Sequence, residues 1–548
     1  MIPFGGPRLC LHPMAMRAVD QAAARAGLPG TALMESAGRS VADAIRARWP
    51  APGRAVVLVG GGNNGGDGLV VARWLAGAGW RVELVWLADP AGLRGDAARQ
   101  WRLVRPLRLA AVRVSTAAEA DVALARAIGA TCVVDAILGT GLRGTIRGPL
   151  RRAIRALNAL SLEGRGLPVV AVDGPSGLDG DTGRARGIAV RATLTVALGF
   201  PRPGLFLADG PAHVGRLLVA PLGFPLGSLA AAGNAPLGWS GLPEAEAALP
   251  PRAHNLHKGG AGRLLLVAGS ARYPGAAALA ATAALRSGVG ICLVAAPAPV
   301  LRQLLRSLPE AIGLPLPVTP SGALAPAAAT AIRRAAREAN AVALGPGLTT
   351  AGGVRRLVLA ALAAERPAVI DADALNVLAA DPRPVRRAAP TILTPHPGEL
   401  GRWLDRSAAA VDRDRLAAAP RAAARWGAHV ILKGSPTVVA QPDGRAFLNL
   451  TGNPGLAVGG MGDILTGLLG SLLAQGVPAP LAARAAPVLH GLAGDWAQAD
   501  RGGRAVLPTD LYAYLPLAIR EIAAGRGVAL LERLEHPYGE LLAAGGGR

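Results

Sequence analysis

Short, unbroken apolar runs recur through this chain, each ending in a glycine-rich polar loop and followed by a stretch rich in alanine and arginine. No other feature constrains the fold as strongly. In the first half they read RAVVLVG (Arg54 to Gly60), RVELVWL (Arg81 to Leu87), CVVDAIL (Cys132 to Leu138), PVVAVD (Pro168 to Asp173) and ATLTVAL (Ala192 to Leu198). A run apolar at every position, rather than at alternate ones, suits a strand buried on both faces, as in a parallel sheet covered by helices. In such α/β sheets ligands lie outside the carboxyl ends of the strands.

The second half repeats the alternation with different loops: HKGGAGRLLLVAGSARYPGAA (His257 to Ala277), ALGPGL (Ala343 to Leu348), VIDADALN (Val369 to Asn376), ILTPHPGEL (Ile392 to Leu400) and VILKGSPTVV (Val430 to Val439). At 548 residues the chain is too long for one ordinary core, so two α/β domains are expected. Residues 1–222 form the first and 251–525 the second. The stretch 223–250 is rich in Pro, Gly and Ala without a period and reads as a linker with one short helix; 526–548 is a tail about which the sequence is silent.

A net charge of +22 would suit nucleic acid, a membrane surface or acidic metabolites. The basic residues are scattered, with no long run and no interleaved aromatics, which argues against nucleic acid. Lys258 and Lys433 are the only lysines in a chain that otherwise uses arginine. A compact ammonium on a flexible stem meets a phosphate as a point charge, and that is one reason to keep lysine there. Cys10, Cys132 and Cys292 are far apart and odd in number, which fits buried thiols in a reducing cytoplasm rather than a disulfide framework or zinc site. The N-terminus lacks the pattern of a signal peptide. The uncharged, strongly apolar run Ile464 to Ala483 carries Gly476, Pro478 and Pro480 in its second half and reads as a buried helix ending near Gln475, not a membrane span.

Three loops in the first half carry polar residues. In GGGNNGGDG, Gly60 to Gly68, the spacing of Gly60, Gly62 and Gly65 satisfies GxGxxG, and Glu83 follows at the next strand, so a dinucleotide-binding dehydrogenase is a fair first reading. Two asparagines and Asp67 make the loop more polar than that fingerprint needs. DAILGTGLRGTIRGP (Asp135 to Pro149) is a second glycine-rich strand exit, with Arg143 and Arg147 suited to a phosphate, and DGPSGLDGDTG (Asp173 to Gly183) puts Asp173 and Ser176 on a tight turn. Asn64, Asp135 and Ser176 would offer three hard oxygens at neighbouring strand ends, a setting for a cation. Each alone is more often a turn or cap residue; their co-occurrence carries the reading.

In the second half, NLTGNPGLAVGGMGDILTGLLGSLLAQ (Asn449 to Gln475) feeds a glycine loop into an apolar helix. The first turn of a helix presents unpaired N–H groups and the positive end of its dipole, so Gly459, Gly460 and Gly462 allow a phosphate close to the main chain. Asp463 beside it is placed to take a proton from a hydroxyl that receives that phosphate. Asp371, Asp373, His396, Glu399, Lys433 and Thr437 fall at neighbouring strand ends; a P-loop is excluded because GxxxxGK[ST] is missing.

In the first half LMESAG (Leu33 to Gly38), GGNNGGDG, VDAILGTG and VDGPSGLDG, in that order, resemble the NAD(P)H-hydrate epimerase family. The resemblance implies a Rossmann-like three-layer domain that interconverts the R and S epimers of hydrated NADH and NADPH. It implies K+ at Asn64, Asp135 and Ser176. Substrate contacts would come from Asn63, Asn64, Gly65, Gly66 and Asp67, from Gly139, Thr140, Gly141, Leu142, Arg143, Gly144 and Thr145, and from Asp173, which is also the acid/base candidate.

In the second half HKG, GSxxxPGAA, GPGL, DADALN, TPHPGE, LKGxxT and GNPGxAxGGxGDxLxG are similar to the ADP-dependent NAD(P)H-hydrate dehydratase family, whose fold is ribokinase-like α/β. That similarity implies a nucleotide, ADP or ATP with Mg2+, held by Lys433, Gly434, Ser435, Pro436, Thr437 and Gly462. Ala276, Gly347, His396 and Asp463 would contact the hydrate, with Asp463 the base. The implied chemistry is phosphorylation of the ring hydroxyl followed by loss of phosphate. Val458 and Met461 stand where the family usually has threonine, and Thr349 where it has glycine. The expected partners are NADHX, NADPHX and adenine nucleotide, with no nucleic acid or membrane, in a cytoplasmic homo-oligomer. Two other readings stay open here: a vitamin or sugar kinase in the second half, and a nucleotide-binding regulatory module with degraded activity.

Overall fold

The computed structural model describes residues 8–141, 144–162, 166–233, 237–381 and 387–544. Two compact units emerge, one from Met1–Pro236 with His536–Gly547 and the other from Leu237–Glu535.

In the first unit the strands are β1 (Leu9–Cys10), β2 (Arg54–Val59), β3 (Arg81–Trp86), β4 (Ala110–Arg113), β5 (Cys132–Ala136), β6 (Val169–Val172), β7 (Leu194–Leu198) and β8 (Arg216–Ala220). Seven of them form a parallel sheet in the order β4-β3-β2-β5-β6-β7-β8. Successive residues of each run enter different cores: Val57, Val59 and Val134 pack on one face, Val56, Leu58 and Val133 on the other. That is the three-layer arrangement the unbroken apolar runs require. The order reverses between β2 and β5, and Gly60 closes that crevice: a Cβ there would lie 1.8 Å from the Ile137 carbonyl oxygen. The glycine of LMESAG has an equally physical reason. Gly38, in the helix Gly30–Arg48, has room only for hydrogen, since a Cβ would stand 2.4 Å from Val70 and 2.7 Å from the Asp67 carbonyl oxygen of the helix Asn63–Gly77.

The tail does not trail away. Leu217 donates its N–H to the Pro537 carbonyl at 2.9 Å, Tyr538 meets Phe206 edge-on at 5.5 Å, and Arg216 pairs with Glu540 at 3.3 Å. Residues from His536 on therefore complete the first unit beside β8.

The second unit contains β9 (Leu237–Ser240), β10 (Arg263–Val267), β11 (Ile291–Pro297), β12 (Ile312–Leu316), β13 (Ala341–Leu344), β14 (Ala368–Ile370), β15 (Thr391–Leu393), β16 (His429–Leu432), β17 (Thr437–Ala440) and β18 (Ala446–Asn449). Their order is β9-β18-β17-β16-β15-β14-β13-β10-β11-β12. The sheet is parallel from β12 to β16, and antiparallel at β16–β17–β18. The stretch 223–250, read from composition as a linker, holds β9, which runs parallel to β18 and buries Trp239 completely, and a short helix Leu242–Ala247. The helix Met461–Ala474 is buried from Ile464 to its end and stops before Gln475. Gly467 lets it lie against the helix Pro274–Arg286, where a Cβ would meet the Ala280 carbonyl oxygen at 2.1 Å. Among the described residues no helix is long and apolar enough to cross a membrane.

Candidate active sites

In the first unit the polar loops converge at the carboxyl ends of β2, β5 and β6. Asp135, wholly buried at the end of β5, accepts the Ser176 hydroxyl on Oδ1 and the Ser176 N–H on Oδ2 at 2.8 Å, and the Ile137 N–H reaches Oδ1 at 3.3 Å. Burial pushes its carboxyl up to about 6 against those hydrogen bonds. Ser176 Oγ also accepts the Leu138 N–H at 2.9 Å. Asn64, 6% exposed in the first turn of the helix Asn63–Gly77, has neither side-chain oxygen nor nitrogen partnered. It faces Gly139, where a Cβ would lie 3.3 Å from that of Asn64. A buried amide with nothing to bond is costly unless a ligand completes it.

Asp173 occupies the left-handed region at φ 65°, a conformation Asp tolerates better than most residues. Its two oxygens are gripped by Arg202 Nη2 at 3.1 Å each, and Oδ1 also accepts the Leu198 N–H at 3.1 Å. Asp67 is buried beside it without such help; burial first, then Asp173 and Asp20, raise its carboxyl well above the usual range. Asp20 reaches this cluster from the helix Pro13–Arg25, and the Arg17 guanidinium of the same helix lies 3.3 Å from where a Cβ on Gly141 would sit. Thr140, Gly141, Gly144 and Thr145 are present on the intervening loop, partly or fully exposed; Leu142 and Arg143 lie outside the described residues. Asp20, Arg17 and Arg202 carried no sequence signal, because their roles arise only when distant elements meet.

The second unit gathers its site around Asp371, 1% exposed at the end of β14. Oδ1 accepts Lys433 Nζ at 2.8 Å and Thr394 Oγ1 at 2.7 Å, and Oδ2 accepts Thr466 Oγ1 at 2.8 Å. Three chain segments are thereby tied to one carboxylate. Burial opposes the Lys433 charge, but Asp371, Glu399 and Asp463 outweigh it and hold the ammonium above its ordinary range. A Cβ on Gly462 would lie 3.2 Å from Lys433 Nζ, so the ammonium stands directly at the first turn of the helix Met461–Ala474. Gly460 begins that helix at φ 100°. Asp463 is pushed up to about 7 by burial and by repulsion from Asp371 and Asp373, against the pull of Lys433.

The Lys433–Thr437 loop is braced from below. The Arg415 guanidinium donates to the Pro436 carbonyl and fills the space beside Gly434, where a Cβ would be 2.5 Å from Nη2; Ser435–Pro436 is cis. Thr437 Oγ1 donates to the Gly434 carbonyl at 3.1 Å. The GNPG turn is held by Asp495, which accepts the Gly452 N–H and Asn453 Nδ2, both at 2.9 Å.

His396 caps the helix Pro397–Leu404, Nδ1 accepting the Gly398 N–H at 3.0 Å and the Glu399 N–H at 3.3 Å. Burial, then Lys433 and Arg402, lower its pKa, which keeps the ring neutral. Ala276 and Gly347 adjoin, a Cβ on Gly347 being 2.9 Å from that of Ala276. Thr349 takes φ 68° so that its N–H can reach Asp373 Oδ2 at 2.8 Å. Of the two other departures, Val458 points outward, 41% exposed, while Met461 is buried.

Residues 264–517 match the family described as NAD(P)H-hydrate dehydratase, and residues 30–204 match the YjeF-related protein N-terminus. The chain is 40% identical over 503 residues to the bifunctional NAD(P)H-hydrate repair enzyme Nnr of Moorella thermoacetica, covering 90% of this chain and 93% of the relative. It is 37% identical over 509 residues to the Nnr of Thermofilum pendens, covering 92% and 94%. Among solved structures, the ADP/ATP-dependent NAD(P)H-hydrate dehydratase of Bacillus subtilis, co-crystallized with ATP/Mg2+, is similar with a TM-score of 0.45 and 33% identity, covering 51% of this chain and 97% of that one.

Proposed function

Because this chain belongs to the family of bifunctional NAD(P)H-hydrate repair enzymes, we propose that its first unit inverts the hydrate and its second removes the water at the two sites described above. The chain is an enzyme of two activities, an NAD(P)H-hydrate epimerase and an ADP-dependent NAD(P)H-hydrate dehydratase; the kinase and sensing readings are not favoured.

The observation that carries the assignment in the second unit is Asp463, a carboxyl near pKa 7 in the first turn of a helix whose opening N–H groups adjoin Lys433. Phosphate of ADP or ATP would lie on those groups and on Lys433, with Mg2+ arriving on the nucleotide oxygens. Ionised Asp463 takes the proton of the substrate hydroxyl as its oxygen attacks the terminal phosphorus. The phosphate ester then leaves, driven out by the ring-nitrogen lone pair, and loss of a proton from the neighbouring carbon restores the dihydronicotinamide. Lys433 stabilises charge on the phosphate in both steps, and Asp371 positions Lys433. Ala276, Gly347 and His396 would shape the hydrate pocket, and Gly434 to Thr437 the nucleotide side.

In the first unit Asn64, Asp135 and Ser176 fit a potassium ion. Asn64 Oδ1 is buried and unpartnered, and Asp135 and Ser176 are already joined a short way along the same crevice. Bound there, the ion would supply positive charge toward a phosphate or hydroxyl of the substrate. Cytoplasmic location is proposed on the three buried free thiols, and a homo-oligomer is expected by light scattering.

The test is a single assay: purified chain, ADP or ATP, magnesium and mixed hydrate epimers, with absorbance of the reduced nicotinamide followed in time. Complete recovery of both epimers is expected. Recovery of neither, with either nucleotide, overturns the assignment.

A further inference from the structure

We infer that Asp495 is a positioning residue of the phosphate site in the second unit, setting where the main-chain N–H groups at Gly459, Gly460 and Gly462 stand. The inference rests on the dehydratase reading of that unit and names what holds its helix start in place.

The loop between β18 and the helix Met461–Ala474 lies, along its first half, on one face of the helix Ala479–Arg501. Gly491, Gly494 and Asp495 share that face, three and four residues apart. Two of them are glycine because the loop leaves no room for more. A Cβ on Gly491 would lie 2.1 Å from Thr451 Oγ1, and one on Gly494 would lie 2.6 Å from the Leu456 side chain. Thr451 is buried and its Oγ1 stands 3.2 Å from the Val488 carbonyl oxygen, so the loop leaves β18 from a fixed point. Asp495 then ties the turn. Its Oδ2 accepts the Gly452 N–H and its Oδ1 accepts Asn453 Nδ2, each at 2.9 Å, while Asn453 Oδ1 accepts the Gly455 N–H at 2.9 Å. Gly452 bends there at φ 99°, a conformation that side chains rarely adopt.

Beyond Leu456 the loop turns outward. Ala457, Val458 and Gly459 are exposed and lie within local backbone bonds, Ala457 N–H to the Pro454 carbonyl at 3.1 Å and Met461 N–H to the Val458 carbonyl at 3.4 Å. Packing closes in again at Gly460, where a Cβ would stand 2.7 Å from Leu279 and 3.2 Å from Pro508. The amides that would meet phosphate are therefore strung between two anchors, Asp495 upstream and the Leu279–Pro508 wedge downstream. Glycine at 459 and 460 brings no torsional preference to hold the span by itself. The upstream anchor is a carboxylate, whose hydrogen bonds are roughly twice as strong as neutral ones. An anion site made of backbone depends on where that backbone stands, and a misplacement of about 1 Å can cost on the order of a hundredfold in rate.

The experiment follows dehydration by the full chain with the separated S epimer of hydrated NADPH, magnesium and the nucleotide that wild type uses, ADP or ATP. Each substrate is varied in turn, well below the thermal transition. Asp495→Ala should lower kcat/KM for nucleotide by about tenfold or more, with the nucleotide KM raised several-fold and the hydrate KM within about twofold of wild type. Asn453→Ala removes one arm of the same tether and should cost less. The double variant should lose less than the product of the two single losses, because both act on one turn. A kcat lowered with neither KM moved is only loss of folded enzyme and overturns the inference. So does a kcat/KM for nucleotide within about threefold of wild type, or a hydrate KM that moves in place of the nucleotide KM, or losses that multiply in full. If Asp495→Ala shows no thermal transition for the second unit, Asn453→Ala decides alone, and an unchanged nucleotide KM there overturns it. Wild type that restores no reduced nicotinamide with either nucleotide would instead sink the dehydratase reading itself.

Discussion

The two crevices are built by the same device and differ in where the cation stands. In each, a helix begins beside the carboxyl ends of buried parallel strands, with glycine in its opening turn. In the second unit a lysine, one of two in the chain, stands at that helix start and is locked to Asp371. In the first unit the helix start carries Asn64 and Asp67, Asp20 and Asp173 act on Asp67, and the cation, Arg202, bonds Asp173 and the Phe200 carbonyl. A phosphate-transferring site needs fixed positive charge at its helix start; a site that transfers no phosphate does not, and can place carboxyl groups there instead. The fold supplies the amides, and the side chains decide what they are used for.

The sharpest way to break this comparison is Asp463→Asn. Dehydration should fall by about two to four orders of magnitude while inversion in the first unit is unchanged, measured as loss of absorbance recovery beside continued R-to-S conversion. Since a base must be ionised, wild-type dehydration kcat/KM should rise with pH up to and through about 7 and then level off. A loss of both activities would mean the two sites are not independent.

Ending the chain at Glu535 removes Tyr538, Leu541 and Leu542, which are almost fully buried in the first unit. At about 1.5–3 kcal/mol for each large side chain, the first unit should lose several kcal/mol. The thermal transition that carries epimerase activity should drop, and dehydratase activity should persist. Lys433→Met tests the other side. It leaves Asp371 buried with only Thr394 and Thr466 as donors, so a cost near the lower end of the ~3–5 kcal/mol for breaking a buried pair is expected, together with a raised KM for nucleotide. A KM that does not move would remove Lys433 from the phosphate site.

Much of this was legible in the sequence, for reasons that differ by element. β2, β3, β5, β6 and β7 announce themselves because a strand buried on both faces must be apolar throughout. β4 is largely exposed, and β8 is flanked by loops without a period, so neither stands out. β9 is hidden by the Pro and Gly around it, although Trp239 in its middle is fully buried. The return of residues 536–544 to the first unit has no local signature, because its reason is the edge of β8 and the ring of Phe206. Lys433 could be singled out by rarity. Arg202 and Arg415 could not, being two arginines among many whose importance lies in what they touch, Asp173 in one case and the Pro436 carbonyl in the other.

The smallest expected effect concerns Thr349, where the family pattern has glycine. A β-branched residue at φ 68° is strained, and its hydroxyl makes only a long contact to the Ala351 N–H at 3.4 Å. What Asp373 uses is the backbone N–H, which glycine also provides. Two contributions oppose each other in Thr349→Gly: relief of left-handed strain, of order 1–3 kcal/mol, and the added freedom of glycine in the unfolded chain, about 0.4–1 kcal/mol. The first is larger, so a gain of about 1 kcal/mol is expected, seen as a slightly higher melting temperature of the second unit with dehydration kinetics unchanged. A drop in stability would show that the threonine side chain packs favourably enough to outweigh its backbone. A change in KM for the hydrate would show that the strain is part of how this crevice holds its substrate, with Asp173 at φ 65° as its counterpart in the first crevice.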